Sequence, residues 1–322
     1  MAILLTGGAG FVAATLIGRL LSQGETVISL DNFSRGSLGN VEPWLTHPNF
    51  TLRRAELSDL ADYRLTIEEV AKPEAVTEIW HLAANSDIPA GVRDPDVDLR
   101  DTFMTTFNTL KIMDEYGIKR ILFASSSAIY GNLQDTLLTE ETGPLLPISN
   151  YGAMKLASEA ALTAAAERFL EQALIFRFPN VVGTPATHGV IFDFIGRLRQ
   201  TPEYLQVLGD GTQQKTYLHV TDLVDAMLLI REKCRTKVGV YNIGPTDEGI
   251  TVRRIAEEVA SVVAPDAELR FESGNKGWIG DVPRFRYSTA KLQQLGWRPK
   301  LNSVGAIKRA VSEIAHQLSA VR

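Results

Sequence analysis

Residues Met1–Leu16 read MAILLTGGAGFVAATL, and the fold turns on how TGGAGF, Thr6 to Phe11, is used. AILL is a short buried strand. FVAATLIGRLLSQG carries apolar residues at helical spacing and stops on Gly24, and TVISLD is a second strand closed by the carboxylate Asp31. A glycine cluster between a strand and a helix, with an acid at the end of the next strand, predicts a dinucleotide-binding unit. Gly7 permits the tight turn. Gly10 lets the backbone approach a pyrophosphate at the helix N-terminus, where unpaired N–H groups and the helix dipole favour anions. The third small position falls on Ala13 or Ala14. Asp31 accepts from ribose hydroxyls and would repel a 2′-phosphate, which favours NAD over NADP. Arg35, in DNFSRG, is left open between pairing with a 2′-phosphate, stacking on adenine and facing solvent.

The alternation continues. FTLRRAEL and EIWHLAA read as strands, and a helix is expected from about Val97 to Tyr116, with Leu99, Phe103, Phe107 and Leu110 on one stripe. RILFASSS is a fifth strand, about Tyr151 to Glu171 a long helix and ALIFRF a sixth strand. Strands and helices in this rhythm predict an α/β fold, a Rossmann-type doubly wound parallel sheet. After Phe178 the rhythm loosens. PNVVGTPATHG reads as loop, IFDFIGRLRQ as helix, YLQVLGDGTQQK as a strand running into a turn, TYLHV and VGVYNIG as strands flanking a helix from Thr221 to about Lys233, and ITVRRIAEEVASVV as an amphipathic helix before two short terminal ones. No linker separates the halves. The expected organisation is a dinucleotide-binding domain over 1–178, with 216–243 returning to it, and a smaller interwoven α/β substrate-binding domain over 179–215 and 244–322.

Composition narrows the function. The chain has 322 residues, 45% hydrophobic and 22% charged, and a net charge of −5, so no nucleic-acid or membrane partner is expected. No apolar run is long enough to span a membrane, and AILL runs into glycine with no basic segment before it, which points to the cytoplasm. Cys234 is the single cysteine, with no metal-ligand companion, and reads as a structural thiol; no metal site is expected.

YGAMK, Tyr151 to Lys155, places a phenol and an ammonium on one helix face. A nearby ammonium and a cationic nicotinamide would favour the phenolate, which then removes a proton from a substrate hydroxyl. SSSAIYG, Ser125 to Gly131, leaves the C-terminal end of a central strand, where ligands bind in open parallel sheets. A hydroxyl there can bond the oxygen that Tyr151 deprotonates; serine also suits an ordinary turn.

Taken in order, TGGAGF, DNFSRG, HLAA, SSSAIYG, YGAMK, FRFPNVVG, GDGTQQKTYLHVTDL, GDVP and LGWRP resemble the extended short-chain dehydrogenase/reductase superfamily over nearly the whole chain. The resemblance is to its nucleotide-sugar epimerase/dehydratase branch, most of all to UDP-glucose (galactose) 4-epimerase-like proteins. It implies that Gly7, Gly10, Phe11, Val12, Asp31, Asn32, Ser34, Arg35, Glu56, Leu57, Leu82, Ala83, Ala84, Asn85, Ser125 and Phe178 hold NAD, with Lys155 on the nicotinamide ribose. It implies Tyr151 as base and Ser126, four residues before Tyr130, as its hydroxyl partner. Ser126, Ser127, Asn180, Val190, Lys215, Tyr217, Asp281 and Phe285 would meet a nucleotide sugar, with Asn180 and Lys215 on the diphosphate and Phe285 limiting the sugar pocket. The implied mechanism is proton removal by Tyr151 with hydride transfer to tightly held NAD, rotation of a 4-keto-sugar and return of hydride to its other face. The helices at about 97–116 and 151–170 imply a homodimer.

The departures from the resemblance are FVAAT in the glycine loop, Glu56 where an aspartate is usual, Thr102 for a frequent asparagine and Asn85 after HLAA, and Lys215 stands where an arginine is common. A 4,6-dehydratase needs an acid pair where Ser127 and Ala128 stand. A UDP-glucuronate 4-epimerase should offer a cation where Ala186 stands, leaving only His188 in that loop. Epimerisation at another carbon such as C2, and keto-sugar reduction, remain alternatives of the same class. A non-catalytic NAD-binding scaffold would have no use for Tyr151 and Lys155 together.

Overall fold

Runs such as AILLT and TVISLD are too short for helices and apolar at every position, and they assemble as the sheet of a computed structural model that describes residues 1–70, 75–133, 136–274 and 286–320. Two units divide the chain. The first comprises Met1–Gly131, Gly143–Arg177 and Met227–Tyr241, and the second Asn132–Thr142, Phe178–Ala226 and Asn242–Arg322.

The first unit is ordered as β1 (Ala2–Thr6), α1 (Phe11–Ser22), β2 (Thr26–Asp31), β3 (Phe50–Arg54), α2 (Leu60–Val70), β4 (Val76–His81), α3 (Ile88–Arg93), α4 (Pro95–Asp98), α5 (Thr105–Tyr116), β5 (Arg120–Ala124), α6 (Asn150–Arg168), β6 (Gln172–Arg177) and β7 (Val238–Asn242). The sheet order is β7-β6-β5-β4-β1-β2-β3, and β1 to β6 pair in parallel. All five residues of β1 are buried, as a parallel sheet covered on both faces demands. One face carries Leu4, Ile28, Ile79, Ile121 and Ile175 against Tyr63 and Ile67 of α2, Ile112 and Met113 of α5, and Leu162 of α6. The chain leaves β1 toward β2 on one side and later enters β4 on the other. The strand order therefore reverses beside β1, the place where open α/β sheets bind ligands.

The helix expected over 97–116 is interrupted. Leu99–Met104 forms a π-helical turn between α4 and α5. Threonine hydroxyls explain it: Thr105 Oγ1 donates to the carbonyls of Asp101 and Thr102, and Thr106 Oγ1 to that of Thr102, drawing carbonyls off the helical ladder. Such turns favour functional sites. The expected apolar stripe splits as well: Leu110 is buried, while Leu99 and Phe107 are 46% and 40% exposed.

In the second unit, helices Val190–Gln200, Val252–Val263 and Ser303–Ala320 share a core with strand Tyr204–Val207, which pairs in parallel with Glu268–Phe271. The terminal helix is not short, at 18 residues. The stretch expected as loop after Pro179 holds strand Asn180–Val182, parallel to Tyr217–His219. No helix among the described residues is long and apolar enough to cross a membrane.

Glu78 anchors the segment 227–241 to the first unit. Its buried carboxylate takes Arg120 at 2.9 Å, Arg231 at 2.7 Å and the Trp80 indole N–H at 2.8 Å. Arg231 also pairs with Glu25, and its carbonyl accepts from Arg120. Removing one member of a buried ionic group leaves uncompensated charge, at a cost of about 3–5 kcal/mol. Glu78→Ala is expected to destabilise the protein by that order, read as a lower urea midpoint; an unchanged midpoint contradicts it.

Candidate active site

The glycine loop is built around missing side chains. Gly7 has φ +68°, and a Cβ there would lie 2.7 Å from the Ala83 nitrogen and 2.8 Å from its Cα. A Cβ on Gly8 would lie 1.6 Å from Ser29 Oγ. These contacts let β1 run straight into α1 with the loop after β4 pressed against the turn. Gly10 caps α1 with extended backbone and no side-chain bond, and the first turn holds no acid. The Ala14 N–H makes the first helical bond, to Gly10, so those of Phe11, Val12 and Ala13 have no helical acceptor. A side-chain-free cradle at a bare helix N-terminus fits a pyrophosphate.

Asp31, at the end of β2, is 6% exposed. Its carboxylate accepts from Ala9 N at 2.9 Å and Phe33 N at 2.7 Å, and a Cβ on Gly36 would lie 2.8 Å from both oxygens. Burial raises the Asp31 pKa, while those two backbone bonds oppose the rise. Phe33 is held at φ +63° beside it. Asn32 donates to Glu56 at 2.9 Å and accepts from Ser34 N. Glu56 also accepts from the backbone and hydroxyl of Ser58. Burial pushes Glu56 upward, but these bonds and Arg100 outweigh it and hold the carboxyl low. Leu57 is buried beside it. The Arg35 guanidinium lies 3.5 Å from Asp87, which gives the position left open by sequence an acidic partner.

The loop after β4 begins with Leu82, whose N–H bonds the Thr6 carbonyl, and continues through Ala83 and Ala84 to buried Asn85. Asn85 N–H donates to Thr102 Oγ1, and its amide donates to the Asp98 carboxylate at 2.8 Å. Thr102 Oγ1 thus serves as an acceptor for the backbone of this loop.

α6 starts at a Ser149 cap that accepts from Gly152 N, and carries Tyr151 and Lys155 one turn apart. Ser126 lies near the Tyr151 hydroxyl and favours its phenolate, and Ser126 Oγ accepts from Ala128 N at 3.1 Å. Lys155 is 1% exposed. Its Nζ donates to the Ala124 carbonyl at 2.6 Å and lies 4.7 Å from the Phe123 ring centre and 5.8 Å from that of Tyr151. Burial drives both groups toward neutrality: Tyr151 rises to about 12 and Lys155 falls to about 7. Ser126 opposes the rise of Tyr151, and the Asp98 charge adds to it. Glu159 and Asp98 hold Lys155 up against its burial.

Below this pair lies a network that sequence reading did not single out. Glu159, one turn beyond Lys155, pairs with Arg177 at 2.7 Å, and Arg177 donates to the Tyr130 hydroxyl at 3.0 Å. Ser125 donates its hydroxyl to Glu159. The i, i+4, i+8 series Tyr151–Lys155–Glu159 was the available signal. His81 bonds Thr6 and Thr106, and burial, with Lys155 nearby, lowers it to about 3, so it stands neutral. Ser127 opens the short 3₁₀ turn Ser127–Tyr130.

In the second unit, strand register sets exposed Asn180 beside buried Tyr217, whose N–H bonds Ser303 Oγ. Lys215 pairs across an antiparallel bridge with Ile250, and Val190 begins its helix. Phe178 follows β6. Ala186 has its N–H and carbonyl both bonded by the Gln317 amide. Asp281 and Phe285 lie outside the described residues.

A model of the NAD dependent epimerase/dehydratase family matches residues 3–244. The UDP-glucose 4-epimerase of Lacticaseibacillus casei is 28% identical over 327 residues, covering 95% of this chain and 94% of its own. That of Halalkalibacterium halodurans is 29% identical over 323 residues, covering 94% and 92%. A crystal structure of UDP-galactose 4-epimerase superposes with a TM-score of 0.86 at 33% identity, over 99% of this chain and 100% of the other. The Thermus thermophilus UDP-glucose 4-epimerase in complex with NAD gives 0.84 at 28% identity, over 98% and 99%.

Lys155 titrates near 7 in the fold against an ordinary 10.5, so the unfolded chain binds the extra proton between those values. Its cost is fully present below the lower value and fades as pH rises to the upper one. Lys155→Met is therefore expected to raise the melting temperature of cofactor-free protein at neutral pH, with the gap closing toward pH 10.5. Calorimetry across that range checks it, and a destabilised variant at neutral pH contradicts it.

Proposed function

The chain belongs to the NAD dependent epimerase/dehydratase family, and from that premise we propose that it epimerises a nucleotide sugar at C4, with a UDP-hexose of the glucose/galactose pair as substrate. The observation that carries the reading is the fully buried Lys155 Nζ 5.8 Å from the Tyr151 ring centre, with Ser126 near the phenol and no acid in the turn Ser127–Tyr130.

Gly7, Gly10, Phe11 and Val12 hold the cofactor's pyrophosphate, Asp31 and Asn32 its adenosine ribose, Glu56 and Leu57 the adenine edge, and Lys155 the nicotinamide ribose. NAD, when bound, supplies the hydride acceptor of the first half-reaction, the donor of the second and a positive charge beside the phenol. Tyr151 takes the proton of the sugar 4-hydroxyl at its phenolic oxygen and later returns it. Ser126 bonds the same sugar oxygen and fixes the angle of transfer. Lys155 favours the phenolate when charged, and Glu159 opposes the burial that lowers its pKa to about 7, while its Nζ donates to the Ala124 carbonyl. Asn180, Lys215 and Tyr217 bind the nucleotide-sugar diphosphate side in this reading, with Val190, Asp281 and Phe285 as further substrate contacts.

Ser127 and Ala128 argue against a 4,6-dehydratase, because neither can protonate a leaving hydroxyl. Ala186 presents a methyl group and backbone atoms already bonded to Gln317, which gives a glucuronate carboxylate no cation there. A second copy of the chain is part of the proposal: Leu99, Phe103 and Phe107 leave an apolar stripe partly exposed, with Phe103 and Phe107 stacked at 5.9 Å. So is a cytoplasmic location, supported by Cys234 as a buried, unbridged thiol.

Incubation with UDP-galactose followed by proton NMR of the anomeric region should show UDP-glucose, and Tyr151→Phe should lower turnover by about 10²–10⁴-fold. A 4-keto-6-deoxy product, or an undiminished variant, contradicts the reading. Sedimentation should show a dimer that Phe107→Glu weakens; a monomeric parent protein sinks that part.

A further inference from the structure

Three adjacent loops leave the C-terminal edge of the sheet. The glycine turn follows β1, and its neighbours follow β2 and β4, the strands that flank β1. Both neighbours touch the turn. From the β4 side, the Ala83 backbone lies so near Gly7 that a Cβ there would sit 2.7 Å from the Ala83 nitrogen. From the β2 side, Ser37 N–H donates to the Ala9 carbonyl at 3.0 Å, and the Asn40 amide donates to the same oxygen at 2.8 Å. The two outer loops also meet each other: the Arg35 guanidinium lies 3.5 Å from the Asp87 carboxylate. Contacts therefore close a ring, from the glycine turn out to Ala83, along to Asp87, across to Arg35 and back through Ser37 to Ala9.

We propose that the Arg35–Asp87 ion pair is a strap across the mouth of the cofactor cradle, which must part before NAD enters or leaves. The middle loop of the three belongs to β1, so a bond between the outer two crosses the edge at which the cradle opens. The inference needs the family's NAD and no particular sugar. Under the proposed epimerisation the strap also lengthens the cofactor's stay, which has to span both hydride transfers.

Both ends of the strap are anchored. Asp87 divides its carboxylate: Oδ1 accepts from Ala90 N at 3.1 Å and caps α3, which leaves Oδ2 for Arg35. Its backbone is clasped by Asn85, whose amide oxygen accepts from Asp87 N and whose amide nitrogen donates to the Asp87 carbonyl, both at 3.0 Å. At the other end, Phe33 is the one residue other than glycine with positive φ among the described residues, at +63°. A bulky residue keeps that conformation only where its surroundings hold it, and such strain gathers at ligand clamps. Asp31 does the holding, through its 2.7 Å bond from Phe33 N, and Gly36 packs where a Cβ would lie 2.8 Å from both Asp31 oxygens. The Arg35 and Asp87 side chains are 37% and 28% exposed, so the pair itself is weak and parts readily while its anchors stay.

Stopped-flow fluorescence of NADH tests this. Binding to cofactor-free protein gives the association rate, and displacement from loaded protein by excess NAD gives the dissociation rate. Asp87→Asn keeps a good cap for α3 and removes the charge. It should raise both rates together, about two- to fivefold, as loss of an exposed ion pair allows, with Kd unchanged. Arg35→Met should do the same, and the double variant should be no faster than either single one. Unmoved rates in Asp87→Asn overturn the inference. So does a Kd weakened in Arg35→Met alone through faster release, which makes Arg35 a direct cofactor contact, and so does NADH that fails to bind the parent protein. A second readout needs no cofactor: the Ser37 amide, bonded to Ala9, should exchange with deuterium faster in Asp87→Asn, and an unchanged exchange rate overturns the strap. If Asp87→Asn does not fold, Arg35→Met, on an exposed side chain, carries both measurements. No sugar enters either one, so a wrong substrate assignment leaves both readable.

Discussion

The Lys155 amine, held at the C-terminal end of β5 by the Ala124 carbonyl, is the group on which the rest of the first unit turns. An ammonium in that position is tolerated only with acceptors and negative charge around it. The fold supplies a strand-end carbonyl from β5 and the Glu159 carboxylate one turn along the same helix. Glu159 in turn needs Arg177 from the end of β6, and Arg177 needs the Tyr130 hydroxyl. The buried polar system therefore links β5, the serine turn, α6 and β6 in one hydrogen-bonded chain. α6 can slide along none of them without leaving a charge unpaired, and the Tyr151–Ser126 geometry inherits that rigidity.

Stability is given up for this arrangement. Burial pushes the phenol toward its acid form and the lysine toward its base form, the reverse of what proton abstraction from a sugar requires. In the proposed reaction such a site gains from positive charge joining it, which would couple Tyr151 to a loaded cofactor groove. The groove itself is made by subtraction: Gly7, Gly8 and Gly10 are positions where a methyl group would strike Ala83, Ser29 or the turn's own backbone.

The parallel sheet was legible because its strands are short, apolar throughout and separated by helical spacing, and because TGGAGF and Asp31 fall at fixed places in that rhythm. Tyr151 and Lys155 were legible for the same reason, four residues apart on a helix. What was hidden depends on contacts between distant positions. The π-turn follows from threonine hydroxyls at 105 and 106 competing for carbonyls, which periodicity does not register. Helix Leu60–Val70 buries only Tyr63, Thr66 and Ile67, too thin a stripe to stand out among its charged residues. Asp98 looked like one more acid in the run DPDVDLRD, and its burial beside the Asn85 amide is what separates it from the exposed Asp94 and Asp96.

Gln317 illustrates how far such dependence reaches. Its amide closes both backbone valences of Ala186, 131 residues earlier in the chain. The conformation of the loop through Ala186 is thus written partly at the far end of the sequence, in the last turn of the terminal helix. Exchanging that loop with a relative's would transplant half of a two-part object. Without its matching helix, a grafted loop would carry a bare amide and a bare carbonyl, and its shape would pass from the protein's control to the solvent's.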